Sequence, residues 1–229
     1  MKRLLRYFSI WEWSLWGASL LLILVSFLLF GNGSYPSLAA SLVGCTSLIL
    51  CAKGNPLGPS LMIVFAILYG IISYSFAYYG EMITYLGMSL PMSVVALIAW
   101  MKNPYKSKKS EVAVGRVRAK EIPLILLVTV AVTVAFYFIL KHLGTANLLP
   151  STVSIATSFL AALLTFKRSP FFALAYAAND VVLIVLWILA AMQDISYLSV
   201  IVCFAVFLVN DTYGFLNWLR MQRRQQNTI

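Results

Sequence analysis

Long apolar runs separated by short polar segments dominate the sequence. The runs are rich in Leu, Ile, Val, Ala and Phe and show no strict alternation, so they predict helices rather than barrel strands. A helix needs about 20 apolar residues to cross a bilayer core. We therefore predict an all-α integral membrane protein with eight transmembrane helices, at 13–30, 38–52, 57–78, 82–101, 122–142, 148–166, 171–192 and 195–219.

Composition and charge agree with this prediction. Of the 229 residues, 62% are hydrophobic and 10% are charged, whereas soluble domains average about 25% charged residues. The net charge of +10 could suggest a nucleic-acid partner, but every basic residue except Lys141 precedes the first run or follows the second, fourth, sixth or eighth. The positive-inside rule then places both termini in the cytoplasm, and we expect no nucleic-acid partner.

Two blocks of three runs resemble each other. Their alignment pairs Lys53 with Lys167, Pro56 with Pro170 and, after a small insertion, Trp100 with Trp218. A single helix between the blocks makes both enter the membrane in the same direction. The sequence therefore predicts a SWEET-like 3+1+3 parallel repeat, a fold whose substrate sites lie near the membrane midplane between the repeats.

The predicted organisation has six parts: an accessory N-terminal transmembrane helix (1–37), a first three-helix repeat (38–101), a basic cytoplasmic loop (102–121), a linker helix (122–142), a second three-helix repeat (148–219) and a basic cytoplasmic tail (220–229). Three tryptophans near the first run are expected to anchor it at the membrane interface. Glu12, which lies among them, is expected to be solvated. The basic loop 102–121 is expected to contact anionic lipid.

Two Asn-Asp pairs interrupt the seventh and eighth runs, at 179–180 and 210–211. A charge near the centre of a membrane helix costs roughly 2.5–3.5 kcal/mol on the insertion scale, so such residues mark candidate sites. At the helical rise per residue, both pairs lie about 12–14 Å from the cytoplasmic face. The first block has Phe65, Ala66, Met92 and Ser93 at the corresponding positions. This asymmetry favours a binding site, with an interhelical hydrogen bond as the alternative.

Helical spacing adds neighbours to these pairs. Trp187 shares a face with Asp180, and Tyr213 and Asn217 share one with Asn210. Small polar residues of the sixth run could complete a cavity: Thr152, Ser154, Thr157 and Ser158. The predicted substrate-binding residues are Trp187, Asn179, Asp180, Asn210, Asp211, Tyr213, Asn217 and Tyr69.

Motifs of common enzymes do not occur in the sequence. It contains no HExxH, no GxSxG and no phosphate-binding loop ending in GK[ST]. The three cysteines lie in apolar runs without paired spacing and are expected to be core residues. Two intramembrane aspartates could form a catalytic dyad, but the GxGD-type motif of such proteases is missing. We expect no catalytic residue, metal site or cofactor.

At these residues the chain resembles the PnuC family of bacterial vitamin transporters. The resemblance covers about 38–220 and rests on AKG (52–54), YYGE (78–81), KRSP (167–170), ND...LW (179–187) and NDTYGFLNW (210–218). It implies a 3+1+3 helix core in the bacterial cytoplasmic membrane. It also implies inward facilitated diffusion of nicotinamide riboside, which a cytosolic kinase traps by phosphorylation.

The resemblance suggests a role for each candidate residue. Trp187 would stack on the heterocycle, the three asparagines would bind ribose hydroxyls or an amide, and Tyr213 and Tyr69 would close the cavity. Asp180 and Asp211 would pair with the cationic ring or remain protonated. Family members specific for the riboside are similar in having a W-x-x-W pair, whereas Ile184 and Ala190 flank Trp187 here. Thiamine, riboflavin and deoxynucleosides therefore remain alternative substrates, and proton symport through Asp180 remains an alternative mechanism.

Overall fold

The computed structural model describes residues 7–31, 35–75, 79–106, 108–145 and 147–227, with the side chains of residues 75 and 79 left out. These residues form nine α-helices: α1 (Ile10–Phe30), α2 (Tyr35–Ala52), α3 (Leu57–Ser75), α4 (Tyr79–Ile83), α5 (Leu90–Lys102), α6 (Ile122–His142), α7 (Leu148–Phe166), α8 (Phe171–Ala191) and α9 (Leu198–Gln226). A π-helix, Thr84–Ser89, joins α4 to α5. Eight helical segments are long and apolar enough to cross a membrane, which confirms the predicted number of spans.

The packing of the helices is reciprocal. We call α2, α3 and α4–α5 the first triplet, and α7, α8 and α9 the second. The first helix of each triplet packs on the last helix of the other, α2 on α9 and α7 on α5. Accessory helix α1 packs on α2 and α9, and α6 packs on α7. This exchange is what a parallel repeat would give, although the SWEET-like repeat itself stays a prediction.

The π-helix interrupts the fourth span just before Pro91. The backbone N–H of Leu90 bonds the carbonyl of Tyr85, five residues back rather than four. Pro91 has no N–H to donate, so it cannot continue the regular hydrogen-bond ladder at this point. Single-turn π segments are frequent at functional sites, and this one places Tyr85, partly buried, against the core cluster that contains Phe65.

The loop that was predicted only as basic contains a small antiparallel hairpin, β1 (Pro104–Tyr105) and β2 (Lys108–Val112). It joins the basic turns of the two triplets, at the end of the molecule that we call the basic end. The Val112 N–H donates to the Gly54 carbonyl at 2.9 Å, and the Gly115 N–H donates to the Arg168 carbonyl at 2.9 Å. Gly54 and Arg168 are equivalent in the repeat alignment, and both have positive φ. The loop therefore contacts the two triplets at matching positions.

Helix α9 continues beyond the predicted span to Gln226. Most of the segment expected to be a basic tail is thus helical. Gln225 is buried and bonds the hairpin, with its Nε2 atom 3.1 Å from the Val112 carbonyl. This contact to the hairpin accounts for the extra length of the helix.

Candidate functional site

The two intramembrane aspartates meet between α8 and α9. Asp180 and Asp211 are 4% and 5% exposed, and their carboxyl groups lie within hydrogen-bonding range of each other. The Oδ2 atom of Asp180 has no hydrogen-bond donor among the described residues. The structure therefore brings together the two acids that were expected to share a depth. It also leaves one buried carboxyl oxygen able to accept a bond.

Asn179 joins α8 to α7. Its Oδ1 atom accepts from the hydroxyls of Ser154 at 3.0 Å and Thr157 at 2.8 Å. Two of the small polar residues proposed to complete the site therefore do contact a predicted site residue. Their hydroxyls hold the Asn179 amide in one orientation beside Asp180.

Three other candidates have partners in the protein, away from the acid pair. The Nδ2 atom of Asn210 donates to Ser19 of α1 at 2.9 Å, and that of Asn217 donates to the Ala52 carbonyl at 2.8 Å. The Tyr213 hydroxyl donates to Glu12 at 2.7 Å. These side chains hold α9 against α1 and the first basic turn. The helical spacing gave them a common face, but it could not show that this face meets the accessory helix.

The expectation that Glu12 is solvated is wrong, because its side chain is buried. It is 3% exposed, and its Oε1 atom lies 2.9 Å from the Lys53 Nζ. The same carboxylate accepts from the Ser9 backbone N–H at 2.6 Å, while the Ser9 hydroxyl accepts from the Glu12 N–H. This capping box begins α1 at Ile10 and turns the acid toward Lys53.

Aromatic rings lie on the side of the acid pair away from the basic end. Tyr69 packs against Tyr85, with ring centroids 5.0 Å apart, and against Phe65 at 4.8 Å. Trp187 packs on the same buried cluster, and its ring centroid lies 5.2 Å from that of Tyr197. Tyr85, whose ring packs on Tyr69 and Phe65, was missed by the sequence analysis. Its position depends on the π-helix, for which the sequence gave only the signal of Pro91.

A small cavity lies between the triplets on the opposite side of the acid pair. Its volume is about 20 Å³, which holds about one water molecule. Helices of both triplets contribute to its wall, including Cys51 and Ser93 from the first triplet and Thr165 and Tyr176 from the second. Tyr176 lies one helical turn before Asp180 on α8, so the cavity adjoins the acid pair. The described conformation is therefore closed around this space.

Two fully buried tryptophans close the basic end below the cavity. Trp100 and Trp218 pack with ring centroids 5.3 Å apart. The indole N–H of Trp100 donates to the Thr165 carbonyl at 2.9 Å, and that of Trp218 donates to the Cys51 carbonyl at 2.8 Å. Cys51 and Thr165 each lie two residues before the aligned lysines of the repeat. Each triplet therefore bonds the other by the same contact, and we call this arrangement the tryptophan lock.

The charges around the site are of one sign. Within the described part of the chain, the residues that line the cavity include no lysine or arginine. Apart from Lys141, the described basic residues lie instead at the basic end of the molecule. A buried acid pair without a basic counterpart suits a ligand that is cationic or donates hydrogen bonds, and disfavours an anion.

Comparison with known proteins identifies the family. The model of the nicotinamide mononucleotide transporter family matches residues 34–220. The chain belongs to this family. It is accordingly a membrane transporter rather than an enzyme, and the match begins just before α2, so it leaves out accessory helix α1.

Curated relatives and a solved structure extend the match. The chain is 25% identical to the nicotinamide riboside transporter PnuC of Neisseria mucosa, over 85% of this chain and 76% of that protein. It is 22% identical to PnuC of Haemophilus influenzae, over 83% and 82% respectively. A crystal structure of the vitamin B3 transporter PnuC superposes with a TM-score of 0.80 at 23% identity, covering 95% of this chain and 94% of that one. The last match includes α1 and confirms the fold.

Proposed function

We propose that the protein carries nicotinamide riboside into a bacterial cell by facilitated diffusion across the cytoplasmic membrane, and that cytosolic phosphorylation then traps the riboside. The observation that carries this proposal is the contact between Asp180 and Asp211. Two buried carboxyl groups within hydrogen-bonding range of each other cannot both be charged at low cost. We therefore infer that the pair shares a proton and keeps one negative charge. The pyridinium ring of the riboside supplies the matching positive charge.

The charge of the site also favours binding of the riboside over binding of the mononucleotide, for which the family is named. The mononucleotide carries a phosphate, and a phosphate buried beside an acid pair would have no basic partner among the described residues of the site. The riboside has hydroxyls in its place, which can donate to the unpartnered Oδ2 atom of Asp180. The site therefore favours the riboside, in agreement with the names of the two curated relatives.

The flat ring needs an aromatic surface as well as a counter-charge. Trp187 and Tyr69 come from different triplets and pack on one cluster with Tyr85. A cation over an aromatic face gains about 0.5–2 kcal/mol, depending on how well water is excluded. We assign stacking to Trp187 and Tyr85, and closure of the cavity to Tyr69. Asn179 binds the carboxamide or a ribose hydroxyl, whereas Asn210, Tyr213 and Asn217 position α9.

Transport requires the triplets to separate, because the cavity of about 20 Å³ is too small for the riboside. The tryptophan lock closes the basic end, which the positive-inside rule predicts to face the cytoplasm. Substrate would enter from the opposite end and bind at the acid pair. Rocking of the triplets would then break the two indole hydrogen bonds and open the cytoplasmic side.

Uptake into proteoliposomes tests the proposal. Labelled nicotinamide riboside should accumulate to equilibrium without ATP and be recovered chemically unchanged. Excess unlabelled riboside should block this uptake, whereas nicotinamide mononucleotide, thiamine, riboflavin and deoxynucleosides at the same concentration should not. Inhibition by the mononucleotide equal to that by the riboside would contradict the charge argument. Stronger inhibition by one of the other compounds would reassign the substrate.

Proton symport is the second candidate, because the shared proton of the acid pair could move with the substrate. A pH gradient would then drive uptake above equilibrium, and Asp180→Asn would abolish this dependence while downhill uptake persisted. Uptake by the unmodified protein that does not respond to a pH gradient would exclude symport and leave facilitated diffusion.

A further inference from the structure

A second cavity lies at the basic end, apart from the acid pair. Its volume is about 240 Å³, smaller than the ~300–1,000 Å³ typical of pockets for drug-sized ligands. Four segments form its wall: the stretch before α1, the first basic turn, the hairpin and α9. The lining residues that matter here are Lys53, Ser110, Glu111, Arg220 and Arg224.

Two of the three cations in this cavity already have acidic partners. Lys53 pairs with Glu12 at 2.9 Å, and Arg224 pairs with Glu111. Arg220 forms no ion pair or hydrogen bond with any other side chain in the described part of the chain, and it is exposed to the cavity. The cavity therefore has one uncompensated guanidinium beside two paired cations that an incoming anion could also contact.

The remaining wall supplies a neutral donor and a rigid frame. Ser110 of the hairpin lines the same cavity. The Tyr7 hydroxyl donates to the Ser110 carbonyl at 3.2 Å and accepts from the Asn55 amide at 3.0 Å, which fixes the hairpin relative to the first turn. Burial raises the pKa of the Tyr7 phenol, so this hydroxyl stays protonated. A planar guanidinium with a nearby hydroxyl is a common arrangement for binding a phosphate group.

We propose that this cavity binds a phosphate group at Arg220, with Lys53, Arg224 and Ser110 as secondary contacts. The size of the cavity suits a phosphate with a small substituent, either a soluble phosphomonoester or the headgroup of an anionic phospholipid. The basic end is where both would be met if it faces the cytoplasm, as the charge distribution predicts. The proposal is independent of what the carrier transports, because it concerns residues at the opposite side of the tryptophan lock from the acid pair.

The helix that carries Arg220 also provides a matched control. Arg223 is exposed, lies one turn further along α9 and does not line the cavity. Arg220→Gln and Arg223→Gln therefore remove the same charge from the same helix, and only the first removes it from the cavity. Circular dichroism and gel filtration would establish that both variants remain folded in detergent.

Two probes distinguish the sources of phosphate. Inorganic phosphate would be titrated at constant ionic strength while thermal unfolding is followed, and bound phosphatidylglycerol would be counted by native mass spectrometry against phosphatidylcholine. A soluble ligand predicts that phosphate stabilises the unmodified protein and Arg223→Gln, with the dissociation constant raised roughly tenfold or more in Arg220→Gln. A lipid headgroup predicts no such stabilisation but a loss of bound phosphatidylglycerol in Arg220→Gln alone. Equal behaviour of the two variants with both probes would overturn the proposal.

Discussion

At the basic end, each triplet donates an equivalent tryptophan hydrogen bond to the other. Trp100 of the first triplet bonds the carbonyl of Thr165, and Trp218 of the second bonds the carbonyl of Cys51. The hairpin repeats the relation, because it bonds Gly54 and Arg168, the equivalent residues of the two turns. In the transport cycle that we propose, the features present in both triplets form the contact that opens and closes.

Halfway through the bundle the two triplets differ. The second has Asn179–Asp180 and Asn210–Asp211, whereas the aligned positions of the first have Phe65–Ala66 and Met92–Ser93. Phe65 packs across the interface on Phe207, with ring centroids 6.2 Å apart. The second triplet therefore supplies the charge of the site, and the first supplies aromatic surface. We infer that the shared residues serve movement and the unshared residues serve recognition.

The largest expected effect comes from removing the charge of the second triplet. Replacing Asp180 and Asp211 together by asparagine should weaken binding of nicotinamide riboside roughly 10- to 100-fold, because a hydrogen bond to a charged group contributes about 1.5–3 kcal/mol. Asp211→Asn alone would leave Asp180 able to carry the single negative charge. Ser93→Ala is the control from the first triplet, since Ser93 aligns with Asp211 and lines the small cavity between the triplets. Isothermal titration calorimetry on purified protein measures both. Equal losses in the two variants would show that the triplets contribute alike.

Removing an aromatic surface should have a smaller effect. Trp187→Ala should weaken riboside binding about 5- to 30-fold, the loss of about 1–2 kcal/mol of ring stacking and cation–π attraction. Trp187→Phe keeps a ring at this position and should recover most of the affinity. Undiminished binding by Trp187→Ala would remove this residue from the site and leave the aromatic cluster of the first triplet as the stacking surface.

The lock should respond equally to changes in either triplet. Trp100→Phe and Trp218→Phe each remove one indole hydrogen bond worth about 0.5–1.5 kcal/mol, so each should shift the population toward the open state roughly 2- to 10-fold. Cys51 lines the cavity and can report this opening through its rate of reaction with a maleimide, once Cys45 and Cys203 are replaced by alanine. An effect of only one substitution would contradict the reciprocal arrangement.

The smallest effect is expected where α9 meets the accessory helix. Asn210→Ala and Ser19→Ala each remove the same hydrogen bond, worth about 1 kcal/mol, and should lower the melting temperature by about 2–4 °C. The double variant should lose little more than Asn210→Ala alone, because both changes break the bond between the two side chains. Asn210→Ala also removes the bond from its Nδ2 atom to the Val206 carbonyl. Thermal unfolding in detergent checks this. A large fall in riboside affinity for Asn210→Ala would return that residue to the site.

The sequence predicted the properties that each helix has on its own, such as its position in the chain and the depth of its residues. It did not predict which neighbouring helix each side chain contacts. Hydropathy located all eight spans, because crossing a bilayer constrains each helix separately. Counting residues also brought Asp180 and Asp211 to one depth, since the helical rise is constant. The direction of each side chain was harder. A period of 3.6 residues groups Asn210, Tyr213 and Asn217 on one face, but which neighbour that face meets is decided by tertiary packing.

Tertiary partners also account for the other differences. Glu12 was expected to be solvated because it lies among interfacial tryptophans, and only the position of Lys53 in the fold makes its burial favourable. The hairpin was missed because β2 is mostly charged, with Val112 as its one buried apolar residue. Trp100 and Trp218 were aligned with each other, yet an alignment of two repeats cannot show that the aligned residues contact each other.

The most direct test compares binding of nicotinamide riboside with binding of its reduced form, dihydronicotinamide riboside. The two have nearly the same shape, but only the oxidised ring is cationic. We predict tighter binding of the cationic form by the unmodified protein, and loss of that preference when Asp180 and Asp211 are both replaced by asparagine. Equal binding of the two forms, or a preference that survives both substitutions, would contradict the assignment of the acid pair as the recognition site.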